Sequence, residues 1–243
     1  MCFNIAVTAT NTNVIASRYK KVLPEEYNVD SIPTAIEPYY FVSGFAHPAL
    51  PVVKQDGIFL YEWGLIPFWI KDINAASDIK TKTLNAVGET VFEKPSFRKS
   101  ILTQRCLLGI NGFFEWRDVD GVKYPYYIHS TENEIFSLGC IYDSWVDQST
   151  GEIINTFSML TTPANPMMEK IHNLKKRMPL LINPTDESKW IDPTLSKEDI
   201  QSLIKPYDEK LMTAYTISRA ANSPRTNRNI PEILEAVEYE GLL

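Results

Sequence analysis

The segment Asp118-Val119-Asp120-Gly121-Val122 constrains this chain more than any other. An Asp-Gly pair between two β-prone runs closes an antiparallel hairpin, because both residues tolerate the positive φ of a tight turn whose twist matches the strands. The flanking runs, Phe113 to Arg117 and Lys123 to His129, are rich in aromatic residues. Ile135 to Trp145 and Ile153 to Thr161 repeat the pattern, with Asp147 to Gly151 as their turn. Phe3 to Thr10, Ile58 to Trp63 and Arg105 to Ile110 add further strand-like runs. Helical stretches are fewer: Thr12 to Lys21, Gly88 to Glu93, Pro184 to Ile191, Ser196 to Ile204 and Pro231 to Val237. Strands in runs, with helices grouped late, predict an α+β fold: a single domain over residues 1–243 with a curved, barrel-like, mostly antiparallel sheet and a few peripheral helices. The hairpins argue against a doubly wound parallel sheet, and no Gly-rich phosphate loop opens a helix after a strand.

Hydrophobic residues make up 44% of the 243, enough to bury a core. No apolar run is long enough to span a membrane, so no membrane partner is expected. The amino terminus carries no basic region followed by an apolar stretch, so a cytoplasmic location is expected. The three cysteines are scattered, without metal-ligand spacing, and their odd number argues against a disulfide framework. Cys106 and Cys140 sit in apolar surroundings and read as core thiols. Asp143 and Asp147 read as turn residues. No metal and no cofactor are expected. The net charge of −6 does not by itself point to nucleic acid. The cations are grouped, however: Lys80 to Arg105, Lys170 to Arg177, and Arg219 to Arg228.

Cys2 is the residue with the most unusual chemical potential. Loss of the initiator Met would leave an amine and a thiol on adjacent carbons. Their ordinary pKa values, about 7.7–8.0 and about 8.5, leave some of each deprotonated near neutrality. Such a 1,2-aminothiol condenses with an aldehyde to an imine and then closes to a thiazolidine ring. Glu115 stands in Gly112-Phe113-Phe114-Glu115-Trp116. A carboxyl among aromatics is either paired, with Arg117 as the nearest cation, or has a raised pKa suited to general acid–base work. His172 precedes Lys175, Lys176 and Arg177, whose charge lowers an imidazole pKa and keeps the ring neutral as a proton shuttle. His47 and His129 read as structural. Asn85 either caps a helix start or positions an amine or aldehyde oxygen. Trp63, Pro67 and Trp69 form either core or a rigid wedge, since aromatics beside cations hold the unstacked bases of single-stranded nucleic acid.

Taken in order, six segments resemble the SRAP family, named for SOS response-associated peptidases: Met1-Cys2, Trp63 to Trp69, Asn85 to Thr90, Arg105 to Leu107, Gly112 to Trp116, and Ile171 to Pro179. The resemblance implies a barrel-like sheet with a positively charged groove, acting as a monomer on single-stranded DNA that contains abasic sites. It implies that Cys2 forms the thiazolidine with the ring-opened sugar, that Asn85 positions the amine and sugar, and that Glu115 and His172 move protons. It implies that Arg98 and Arg177 hold phosphates while Trp63, Pro67 and Trp69 split the strand from any duplex. It also implies self-processing of Met1 by the same Cys, Asn, Glu and His set. Phe3, Asn4 and Val87 depart from the family's usual Gly, Arg and Arg. Losing two arginines weakens the phosphate contacts that support affinity through counterion release, while the four reacting residues are retained.

Two other functions use the same residues. Cys2 is also suited to act as an amino-terminal nucleophile that cleaves peptide or amide bonds in trans. Alternatively, the chain binds single-stranded DNA without bonding to it. Replacing Cys2 separates these readings, because binding survives its loss and cross-linking does not.

Overall fold

The computed structural model describes residues 2–8, 12–24, 37–132, 135–240 and 242. In chain order the strands are β1 (Asn4–Val7), β2 (Tyr39–Ser43), β3 (Ala49–Lys54), β4 (Gly57–Trp63), β5 (Asn85–Val87), β6 (Arg105–Ile110), β7 (Gly112–Val119), β8 (Val122–Ser130), β9 (Phe136–Val146), β10 (Ile153–Pro163), β11 (Arg177–Pro179), β12 (Leu181–Ile182) and β13 (Met212–Thr216). The helices are α1 (Thr12–Arg18), α2 (Ile73–Lys82), α3 (Ser100–Thr103), α4 (Pro166–Ile171), α5 (Glu187–Ile191) and α6 (Lys197–Leu203).

The hairpin forms where the Asp-Gly pair places it. β7 and β8 pair antiparallel down to Val119↔Val122, and the turn residues Asp120 and Gly121 have φ of 51° and 79°. These two strands lie in a five-stranded sheet of order β13-β8-β7-β1-β2. A second sheet runs β10-β4-β3-β6-β9, and β9 pairs again with β10, so these five strands close into a barrel. Closure depends on a parallel pairing, Thr156↔Glu62 and Phe157↔Trp63, and β5 also joins β10 in parallel. The other pairings are antiparallel, so the α+β, barrel-like expectation holds. The parallel seam was not foreseen, because its two strands are far apart in sequence and no local motif marks such a pairing.

Alternation along the barrel strands divides the core. Cys106, Leu108, Phe157 and Met159 face a cluster shared with Cys2, Ile5, Phe113 and Ile128 of the five-stranded sheet. Leu107, Ile141 and Leu160 face the opposite way, against α1, α5 and α6. Cys106 and Cys140 are buried free thiols on paired strands, as expected.

The helices show where local signals were weak. α2 was not anticipated, since only Ala76 on it is fully buried and it lacks a strong apolar stripe; its start is set by Asp72, whose side chain accepts from the Ala75 N–H at 2.9 Å. The stretches Gly88 to Glu93 and Pro231 to Val237 contain only 3₁₀ turns, Gly88–Thr90 and Pro231–Leu234.

Candidate functional site

β1 pairs with β7 through Ile5↔Phe113 and Ala6↔Gly112. Continuing that register carries the start of the chain past Glu115. Cys2 is completely buried there, and its thiol donates to the Asn4 carbonyl at 3.5 Å. β5 brings Asn85 to the same place, and its Nδ2 donates to the Cys2 carbonyl at 2.9 Å. Asn85 therefore begins a strand, not a helix, and the capping role is not the one it takes.

Glu115 is buried, and desolvation raises its carboxyl to about 7, against a smaller opposing pull from the Trp116 N–H and the charge of Lys175. Arg117 does not pair with it; its guanidinium donates to the Leu242 carbonyl at 3.3 Å. The partner that approaches Glu115 is His172, with Nε2 3.8 Å from Oε2, beyond direct hydrogen-bond range. His172 ends α4, where its Nδ1 donates to the Arg177 carbonyl at 2.8 Å, so the neutral ring presents an unprotonated Nε2. Burial, reinforced by the charges of Lys175 and Arg177, holds its pKa below the ordinary value. The basic cluster contributes as expected, but desolvation is the larger cause. Burial also raises the Cys2 thiol pKa well above its usual range, and the Glu115 charge pushes it further.

Glu115 Oε1 and Asn85 Oδ1 are buried acceptors without a hydrogen-bond partner among the described residues. Such atoms call for an explanation, and a ligand that brings donors supplies one. Beside Glu115 opens a cavity of about 450 Å³, lined by Glu115, His172, Asn4, Trp116, Lys175 and Arg228.

The residues expected to grip DNA do not form one group. Trp63 is completely buried, stacked on Phe157 at 6.2 Å, with its indole N–H donated to the Leu84 carbonyl at 2.8 Å. It is a core residue and presents no face to a base, which corrects the wedge expectation; Pro67 is buried with it. Trp69 is 46% exposed, and Arg98 is exposed. Arg177 is committed internally: it forms a two-pronged ion pair with Glu89, and its Nη2 donates to the Thr161 carbonyl at 2.7 Å and to the Thr161 hydroxyl at 3.0 Å. In this structure a phosphate would meet the Arg177 guanidinium only by displacing Glu89, whose side chain is exposed. Trp116 was missed as a lining residue. Strict alternation sets it on the face away from Glu115, yet both side chains border the cavity.

Residues 1–224 match the family model described as SOS response associated peptidase (SRAP). The chain belongs to the SRAP family. This SRAP chain is 33% identical over 226 residues to the abasic site processing protein YoqW of Bacillus subtilis (strain 168), covering 87% of this chain and 93% of that one. It is 27% identical to the abasic site processing protein HMCES of Gallus gallus, over 72% of this chain and 56% of that protein. Its fold matches a solved structure of a protein from Bacteroides thetaiotaomicron with a TM-score of 0.87 at 36% identity, covering 98% of this SRAP chain and all (100%) of the other.

Proposed function

We propose that this SRAP protein processes abasic sites in single-stranded DNA, and that removal of Met1 turns Cys2 into the group that bonds covalently to the sugar aldehyde. The observation that carries this reading is the meeting of Cys2 with a buried carboxyl whose pKa stands near 7, the range in which one group can both give and take a proton.

The order of bond formation follows from the product: a thiazolidine closes when the thiol adds to an imine carbon, so the amine attacks first. Its nitrogen bonds to the aldehyde carbon, one amine proton moves to the aldehyde oxygen, and the resulting hydroxyl leaves as water with a proton from Glu115, giving the protonated imine. The thiol sulfur then adds to the imine carbon, and its proton returns to the Glu115 carboxylate. The product is a thiazolidine, formed with loss of one water and no change in oxidation state. His172 Nε2 is a second proton acceptor on the same side. Asn85 holds the Cys2 carbonyl, so the amine and thiol enter the reaction in a fixed orientation. The same groups act on Met1 in self-processing, the peptidase side of this reading.

The test is to incubate Met1-free protein, checked by intact mass, with a single-stranded oligonucleotide carrying one abasic site. Denaturing electrophoresis should show a heat-stable shifted band that requires both Cys2 and the abasic site. Absence of the band from Met1-free protein would overturn the covalent reading in favour of non-covalent binding or peptide cleavage in trans.

A further inference from the structure

The family match ends at residue 224, yet a residue beyond it lines the reactive cavity. The segment that carries Arg228 is fastened across the five-stranded sheet. Asn229 Oδ1 accepts from the Tyr40 N–H at 2.7 Å on β2, Ile233 packs with Phe41, Phe114 and Tyr127, and Ala236 bridges to Ile217. Arg228 is thereby held over the Phe41 ring, 4.4 Å from its centroid, with Nη1 donating to the Ala221 carbonyl at 3.3 Å. Among the described residues no carboxylate pairs with it. The guanidinium is half-buried and faces a cavity whose start-of-chain residues, Phe3 and Asn4, bring no charge. Lys123 and Lys175 line the same cavity and add charge of the same sign, against one acid on its rim, Asp118, which accepts from the Gly121 N–H at 3.0 Å.

We propose that Arg228 is the arginine that holds a backbone phosphate of the strand at the reactive cavity, a binding residue supplied by the segment that follows the family-matched region. The inference rests on the reading of the cavity as the site for single-stranded DNA. A planar fork with most of its N–H groups uncommitted, fixed on an aromatic face, is the geometry that meets a phosphate with two parallel hydrogen bonds. Arg177, the arginine that the sequence motifs point to, is paired with Glu89.

The experiment measures binding of an intact single-stranded oligonucleotide, which offers no aldehyde, by fluorescence anisotropy between 50 and 200 mM salt. The proteins are wild type, Arg228→Gln, Arg228→Lys and Arg225→Gln, the last an exposed cation of the same segment outside the cavity. One phosphate contact to a single strand contributes about 0.7 to the slope of log affinity against log salt. Arg228→Gln should therefore have a slope smaller by about 0.7, so that wild type loses roughly 2.6 times more affinity than the variant across that range. Arg228→Lys keeps the charge and should keep the slope, which guards against a folding defect in the Gln variant. An unchanged slope in Arg228→Gln, or an equal reduction in Arg225→Gln, would overturn the proposal. Cross-linking of the abasic oligonucleotide is read in parallel on wild type. A normal cross-link with an unchanged slope sinks the role of Arg228 alone. A reduced slope without any wild-type cross-link sinks the covalent reading and leaves Arg228 as a phosphate contact.

Discussion

Glu115 is a carboxyl kept out of water by its own strand and by the start of the chain, and its pKa near 7 makes a stability prediction with a definite sign. Between about pH 4.5 and 7 the folded protein keeps a proton that the unfolded chain has released. Native stability must therefore fall as pH rises through that window and level off above it. Unfolding in urea at pH 5 and pH 8 should show wild type losing up to about 3 kcal/mol relative to Glu115→Gln. Equal pH dependence in the two proteins would mean that the carboxyl is not desolvated as described. Asn85→Ala has a different signature, since it leaves the Cys2 carbonyl buried without its donor. It should cost about 1–3 kcal/mol of stability, and cross-linking should slow by as much as ~100-fold through misplacement of the reacting groups. Quenched-flow cross-linking reads the rate, and an unaltered rate would remove Asn85 from the positioning role.

At the scale of elements, the hairpin and the β10–β11 corner make separable predictions. Gly121 has φ of 79° and nothing within 4 Å of where a Cβ would stand. Gly121→Ala therefore meets no clash and should cost only the left-handed backbone, about 1–2 kcal/mol, read as a lower denaturation midpoint with the m-value unchanged. Arg177 links β11 to Thr161 of β10 and to Glu89 of the Gly88–Thr90 turn. Arg177→Ala should accordingly destabilise the fold by about 1.5–3 kcal/mol while leaving the salt dependence of DNA binding as in wild type. A reduced salt slope in that variant would return Arg177 to the phosphate-binding set.

Across the whole molecule, the barrel and the five-stranded sheet share one cluster of buried side chains, and Cys2 of the candidate site belongs to it. Trp63 ties these parts together. Its ring lies on Phe157 of β10, approaches Gly44 so closely that a Cβ there would stand 2.9 Å from it, and bonds to the carbonyl just before Asn85. Trp63→Ala should cost about 3–5 kcal/mol. Trp69, 46% exposed, should fall within about 0.5 kcal/mol of wild type on the same change. Thermal or urea unfolding of the two variants side by side distinguishes core from surface, and similar losses would contradict the placement of Trp63.

The features that could be read from the sequence were those with a local cause. An Asp-Gly turn imposes its own φ angles, alternating aromatics declare a strand, and a carboxyl set among them must be either paired or protonated. A cysteine at position 2 carries its chemistry in two adjacent bonds. The antiparallel, barrel-like architecture and the candidate set Cys2, Asn85, Glu115 and His172 follow from such signals and from motif order. The tertiary structure decided what depends on long-range pairing. The parallel seam joins Trp63 to Phe157, and Arg177 meets a glutamate 88 residues away, so neither has a sequence neighbour to announce it. Burial converted Trp63 from wedge to core and raised Glu115 to near neutrality. Only the packing of the last segment across the sheet carries Arg228 to the cavity beside Glu115, because a chain's charge pattern says which cations exist and the fold says which of them are left without an acid.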